Sequence, residues 1–290
     1  MAKQRKDYYM DVTLEELVEL AKDGDNEALE EIVRRIQDRV YGLAIRMLSH
    51  PADAEDATQE ILVKVITHLG SYRGESAFSA WVYRVASNHL LTTHKRRAER
   101  REITFEAAEG HVGAALSGSW EYSMPDAERG LIAQEIMLRC IQGLLLCLDR
   151  ESRITYILAA IFDTTSKQGA YILGITPAAF RKRLSRAKGL LRGFMQKNCG
   201  LVNANNPCQC NKLVGFAVRT RWVNPEKLTF LEHPRRNSEF GVRPELLAGM
   251  DELERVAALF RSHPEYAAPD RLVDMCKSWL RRQCGQSAAG

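Results

Sequence analysis

The sequence predicts an all-α protein built from two small helical domains, a flexible linker between them, and a mostly helical C-terminal extension. Three observations carry this. Apolar residues return every three or four positions from Thr13 to about Arg101 and again from Glu128 to about Lys197. Capping and turn residues punctuate those stretches at helix length. Between them lies a stretch rich in glycine and serine with little apolar surface to bury.

The first domain spans residues 10–101. Thr13 followed by Glu16 forms a capping box, Gly24 separates the first two helices, and Pro51 starts the next. Ile32, Ile36, Val40, Leu43 and Met47 trace one apolar stripe. Residues 102–127 read as a flexible linker, with Gly110, Gly113, Ser117, Gly118, Ser119 and Pro125. The second domain spans 128–198, with breaks at Asp163–Ser166 and Gly174–Pro177. In the 199–290 extension, helices are expected over 244–262 and 270–282, with Pro264 and Pro269 between them.

With 290 residues, 45% of them hydrophobic and 27% charged, the chain can bury ordinary cores. The net charge of +4 is modest, so the case for a polyanionic partner depends on where the charges cluster. No apolar run reaches the ~20 residues of a membrane span, and the start is charged, so a cytoplasmic location without membrane insertion is expected. Seven cysteines in such a chain speak for reduced thiols or a metal site rather than a disulfide framework.

Three segments carry chemistry. The first, Ala52 to Glu60, opens a helix and places Asp53, Asp56 and Glu60 at spacings of three and four, an arrangement suited to docking a basic partner. Acids at a helix N-terminus also complement the dipole, which is the plainer reading. No catalytic residues are assigned here, and an enzyme is a poor fit.

The second, Ser71 to Asn88 followed by Lys95, Arg96 and Arg97, interleaves aromatics with cations, as a module holding single-stranded nucleic acid requires. Phe78, Trp81 and Val82 share a helical face and belong to the core; Tyr72 and Arg73, beside Gly74, are the candidates for touching a base. The third, Thr165 to Arg186, reads as a helix-turn-helix. Gly174 makes the turn, Thr176 caps, and Pro177 opens a second helix that carries seven Lys or Arg and no acid up to Lys197. Phe180, Leu184, Leu190, Leu191 and Phe194 would face inward, leaving Arg181, Lys182, Arg183 and Arg186 for a major groove and its phosphates.

In this order, the three segments resemble regions two and four of the extracytoplasmic-function (group IV) RNA polymerase sigma factors, from about Leu14 to Met195. The most specific part is Asp53-Ala54-Glu55-Asp56 with Gln59-Glu60, then Tyr72-Arg73-Gly74 and Phe78 through Asn88. The resemblance implies that the chain directs core RNA polymerase to promoter DNA and helps to melt it. Asp53, Asp56, Gln59 and Glu60 would bind the polymerase clamp. Tyr72, Arg73, Ser76, Asn88, Lys95, Arg96 and Arg97 would act on the minus-ten element, whose extruded base costs a few kcal/mol to unstack. Ala178, Ala179, Arg181, Lys182, Arg183 and Arg186 would read the minus-thirty-five element. The resemblance also leaves room for an anti-sigma protein.

Departures from the family pattern are Asp149 where a proline is common, Gly169 where a bulky apolar residue is usual, and Pro177-Ala178-Ala179 where polar residues often approach bases. The last allows thymine-methyl contacts but fixes no base preference. The extension is expected to be regulatory. Its C-x8-C-x-C cluster of Cys199, Cys208 and Cys210 leaves three readings open: a zinc site, a redox-sensitive thiol group, or incidental structural cysteines, with His233 and His263 as fourth ligands in the first. No cofactor is required. The rival function is a stand-alone helix-turn-helix regulator, which leaves the acidic helix and the aromatic-basic segment unused; a nucleic-acid enzyme with a zinc site lacks a nearby acid-base residue.

Overall fold

A computed structural model describes residues 9, 11–93, 103–233, 249–276 and 278. Among them the regular structure is helical, and the β-type pairings are two isolated bridges, Cys199 with Cys208 and Asn224 with Lys227.

Helix α1 (Leu14–Lys22) begins with the expected capping box: the Thr13 hydroxyl accepts from the Glu16 N–H at 3.2 Å, and the Glu16 carboxylate accepts from the Thr13 N–H at 2.8 Å. Asp25 caps α2 (Asn26–Leu48), which ends on Ser49 in the left-handed region at φ 53°. Pro51 then occupies the first turn of α3 (Pro51–Thr67). After a loop turned by Gly74 at φ +72°, α4 (Phe78–Thr92) closes the first bundle. Ile32, Ile36, Val40, Leu43 and Met47 are buried, so the stripe seen in the sequence is the inner face of α2.

The stretch expected to be a flexible linker is largely a helix, α5 (Phe105–Ser117), and this corrects the expectation. Thr104 caps it, and its alanines favour helix strongly enough to offset two glycines. Phe105 packs on Phe194, with ring centroids 5.8 Å apart, and Glu109 accepts from Lys197 at 2.8 Å. The backbone of Trp120 lies so close to Gly215 that a Cβ there would meet the Trp120 carbonyl at 1.7 Å, so the segment is seated on the extension.

Helix α6 (Asp126–Leu146) leads to Asp149, whose carboxylate accepts from the Ser152 N–H at 2.8 Å and so caps α7 (Arg150–Tyr156) in place of the proline. Helix α7 runs on through a π-turn, Ile157–Ile161. Its buried Arg153 donates to the carbonyls of Leu145, Leu148 and Met47, joining the ends of α6 and α2. Helices α8 (Ser166–Leu173) and α9 (Pro177–Asn198) form the helix-turn-helix, with Gly174 left-handed at φ +65° between them. Gly169 has a reason: a Cβ there would lie 2.2 Å from the fully buried Phe180 ring.

The extension adds α10 (Val214–Arg219), α11 (Glu252–Arg261) and a short helical stretch at 271–276. Leu213, Val214, Phe230, Phe260 and Tyr266 are buried in the same continuous core as both helical domains. Buried Glu135 of α6 accepts from the N–H groups of Phe230 and Leu231 at 3.0 and 2.9 Å. The extension is therefore integral to the packing, each large side chain contributing ~1.5–3 kcal/mol of burial. Among the described residues, no helix is long and apolar enough to cross a membrane.

Candidate docking face and nucleic-acid interface

On α3 the side chains at 53, 57, 61 and 65 fall on the inner stripe, because four-residue steps keep to one face. Asp53 therefore lies inward beside buried Ala57 and Ile61, 3.6 Å from His50 Nδ1, and does not share the outer face with Asp56 and Glu60 as the spacing suggested. Asp56 and Glu60 are exposed, and Gln59 is half-buried on the flank. Glu60 reaches His89 of α4 at 3.5 Å, and the other nitrogen of that ring lies 2.9 Å from Lys64 Nζ. The exposed side of α3 is thus an acidic stripe of Asp56 and Glu60 with Gln59 and Glu55 beside it, the candidate docking face.

Tyr72 is a second correction. It is buried, edge-on to Phe78 at 5.1 Å; its hydroxyl donates to the Ser76 carbonyl at 2.6 Å, and Lys22 Nζ donates to the Tyr72 carbonyl at 2.9 Å. It braces the loop instead of facing a base. That leaves Arg73 exposed at the tip, Ser76 half-buried, and Asn88 exposed on α4. Lys95, Arg96 and Arg97 lie outside the described residues. Phe78 and Val82 are buried, with Trp81 stacked on Phe78 at 5.6 Å.

On α9, Ala178, Ala179, Arg181, Lys182 and Arg186 are exposed, and the Ala179 N–H donates to the capping Thr176 hydroxyl at 3.1 Å. Arg183 is half-buried and paired with Glu151 at 2.7 Å, so part of its charge is already engaged. The inner stripe is Phe180, Ala187, Leu191 and Phe194; Leu190, expected inside, is 46% exposed. The outer face of α9 can enter a major groove, since an exposed basic helix without acids meets phosphates on both sides of it.

Residues 32–101 match the Sigma-70 region 2 family. The chain is 30% identical over 189 residues to the ECF RNA polymerase sigma-E factor of Haemophilus influenzae, covering 64% of this chain and 96% of that protein. The chain belongs to the extracytoplasmic-function RNA polymerase sigma factors. Against the RNA polymerase sigma-H factor of Pseudomonas aeruginosa it is 33% identical over 129 residues, covering 42% of this chain and 63% of that one, less than two thirds of its length. Among solved structures, the sigma factor RpoE of Bartonella quintana, in complex with the anti-sigma factor NepR, is 18% identical with a TM-score of 0.39, covering 57% of this chain and 95% of that one.

In this sigma factor the cysteines of the extension gather with a fourth that the sequence does not point to. Cys199 ends α9 and its backbone bridges Cys208, with the Gly200 N–H donating to the Cys208 carbonyl at 2.8 Å; Cys210 opens a turn against α6, where Cys140 lies. Burial pushes the Cys140 thiol well up, and the neighbouring Cys199, Cys210 and Cys208 add to it; burial likewise raises Cys208 to about 11 and Cys210 to about 12. Among the described residues, no group of three or more His, Cys, Asp or Glu side chains is arranged to hold a metal ion. His233 and His263 both pack on Tyr266, and burial lowers the pKa of each. Sequence reasoning also missed Glu55 and His89, because their roles depend on which helices are neighbours.

Proposed function

We propose that the chain binds core RNA polymerase through the outer acidic face of α3, directs it to specific promoters, and assists DNA melting. Asp56 and Glu60, flanked by Gln59, meet a basic polymerase surface. Arg73, Ser76 and Asn88 act on the minus-ten strand together with Lys95, Arg96 and Arg97. The outer face of α9, from Ala178 and Ala179 to Arg186, reads the minus-thirty-five duplex. Asp53 and Tyr72 position these elements from inside.

The observation that carries this reading is one chain holding two faces of opposite charge, an exposed acidic stripe on α3 and an exposed acid-free basic helix α9. A stand-alone regulator needs only the second. The chain contributes binding rather than chemistry and works where polymerase works, in the cytoplasm. An anti-sigma protein is a further partner to be sought by co-purification. Zinc at Cys199, Cys208 and Cys210 would appear as stoichiometric metal in the purified protein. The test of the function is co-migration of the chain with core polymerase in gel filtration. Elution at separate positions at micromolar concentrations would refute it.

A further inference from the structure

Residues 263–276 run across the outside of the first bundle and are held there by contacts of three kinds. Buried Arg46 of α2 donates to the Pro264 carbonyl at 3.0 Å, and its guanidinium stacks over Phe162 and Tyr266 at 5.4 and 5.9 Å. Asp38 of α2 accepts from the Ala268 N–H at 2.8 Å. Arg271 forms an ion pair with Glu55 at the start of α3. Tyr266, 1% exposed, is the apolar anchor of this strap.

Glu55 adjoins Asp56, so the strap borders the docking face. A stable interface covers about 800 Å² on each partner, a patch of roughly 16 Å radius. Centred on Asp56 and Glu60, such a patch takes in the flank where Arg271 lies. Arg271 offers Glu55 the same charge that the polymerase must offer Asp56 and Glu60. The second helical domain adds a clasp: Arg84 of α4 donates to the Tyr171 carbonyl of α8 at 3.1 Å and stacks on that ring at 5.1 Å. The minus-ten and minus-thirty-five elements lie about 25 base pairs apart, roughly 85 Å at 3.4 Å per step. A compact chain of this length has a radius of gyration of about 19 Å and cannot reach both.

We propose that the strap at 263–276 competes in cis with the polymerase for the α2–α3 face, holding the chain closed until polymerase displaces it. This rests on the docking reading of α3. Only the open fraction binds, so weakening the strap tightens the apparent affinity by the factor that fraction rises.

The test is a titration of labelled full-length chain with core polymerase, comparing wild type, Arg271→Glu, and Tyr266→Ala with Arg271→Glu. Arg271 is largely exposed, so its substitution leaves folding intact and should tighten binding roughly two- to threefold. The double variant should bind about tenfold tighter and scatter X-rays with a radius of gyration above ~19 Å. Equal or weaker affinity in both variants, with wild type binding core, overturns the competition alone. Failure of all three proteins to bind core overturns the docking reading itself.

Discussion

Gly169→Ala should destabilise the helix-turn-helix, against the ordinary rule that alanine improves a helix. By propensity alone the change would stabilise α8 by ~1 kcal/mol. The added Cβ, however, would sit 2.2 Å from Cε2 and 2.3 Å from Cζ of Phe180, which is fully buried. Carbon atoms in contact stay ~3.5–4.0 Å apart, so the ring must retreat by more than 1 Å (roughly 1.3–1.8 Å) in a packed core. Overpacking of this kind costs about 1–3 kcal/mol, and a displaced aromatic ring belongs at the upper end, leaving a net loss of ~2 kcal/mol. Urea unfolding followed by circular dichroism reads this as a lower midpoint. Gly189→Ala and Gly193→Ala on α9 are the controls: nothing lies within 4 Å of either added Cβ, and each should gain up to ~1 kcal/mol. A Gly169→Ala protein as stable as wild type would refute the packing account of this glycine.

The other predictions concern the two faces and the thiols. Asp56→Arg with Glu60→Arg should weaken association with core polymerase by at least about tenfold with helicity unchanged, because like charges then meet across the interface; unchanged affinity in a pull-down removes the docking assignment. Arg186→Ala should weaken promoter-duplex binding more than Arg183→Ala, whose side chain is already paired with Glu151, and should flatten the salt dependence by about one unit of log–log slope. Equal losses would contradict the placement of Arg183. Cys208 and Cys210, raised to about 11 and about 12, are almost entirely protonated at neutral pH and should alkylate about a hundred-fold or more slowly than a free cysteine, speeding up roughly tenfold per pH unit up to pH 10. Rapid labelling of the folded protein at pH 7, followed by mass spectrometry, would contradict their burial.

What was legible in the sequence was periodic or local. The apolar stripe of α2, the Thr13 capping box, the Gly174 turn and the basic outer face of α9 each follow from residues within a few positions of one another. Asp53 and Tyr72 were misplaced because type and spacing do not say which face of α3, or which side of a loop, the core will claim. Once α2 packs on α3, the 53–57–61 line is inside, and Lys22 and Ser76 hold Tyr72 there. Glycines and serines between 102 and 127 suggested freedom, but Phe105 and Trp120 supply anchors that only a fold can pair with Phe194 and Phe216. The strap was invisible for the same reason: Asp38 and Ala268 stand 230 residues apart.

Sigma activity is tested most directly by run-off transcription by core polymerase on genomic promoter fragments, with and without the purified chain. Discrete transcripts from defined start sites are expected only when the chain is present, and should be lost with Asp56→Arg and Glu60→Arg. DNA binding by the chain without any change in where core polymerase starts would contradict it.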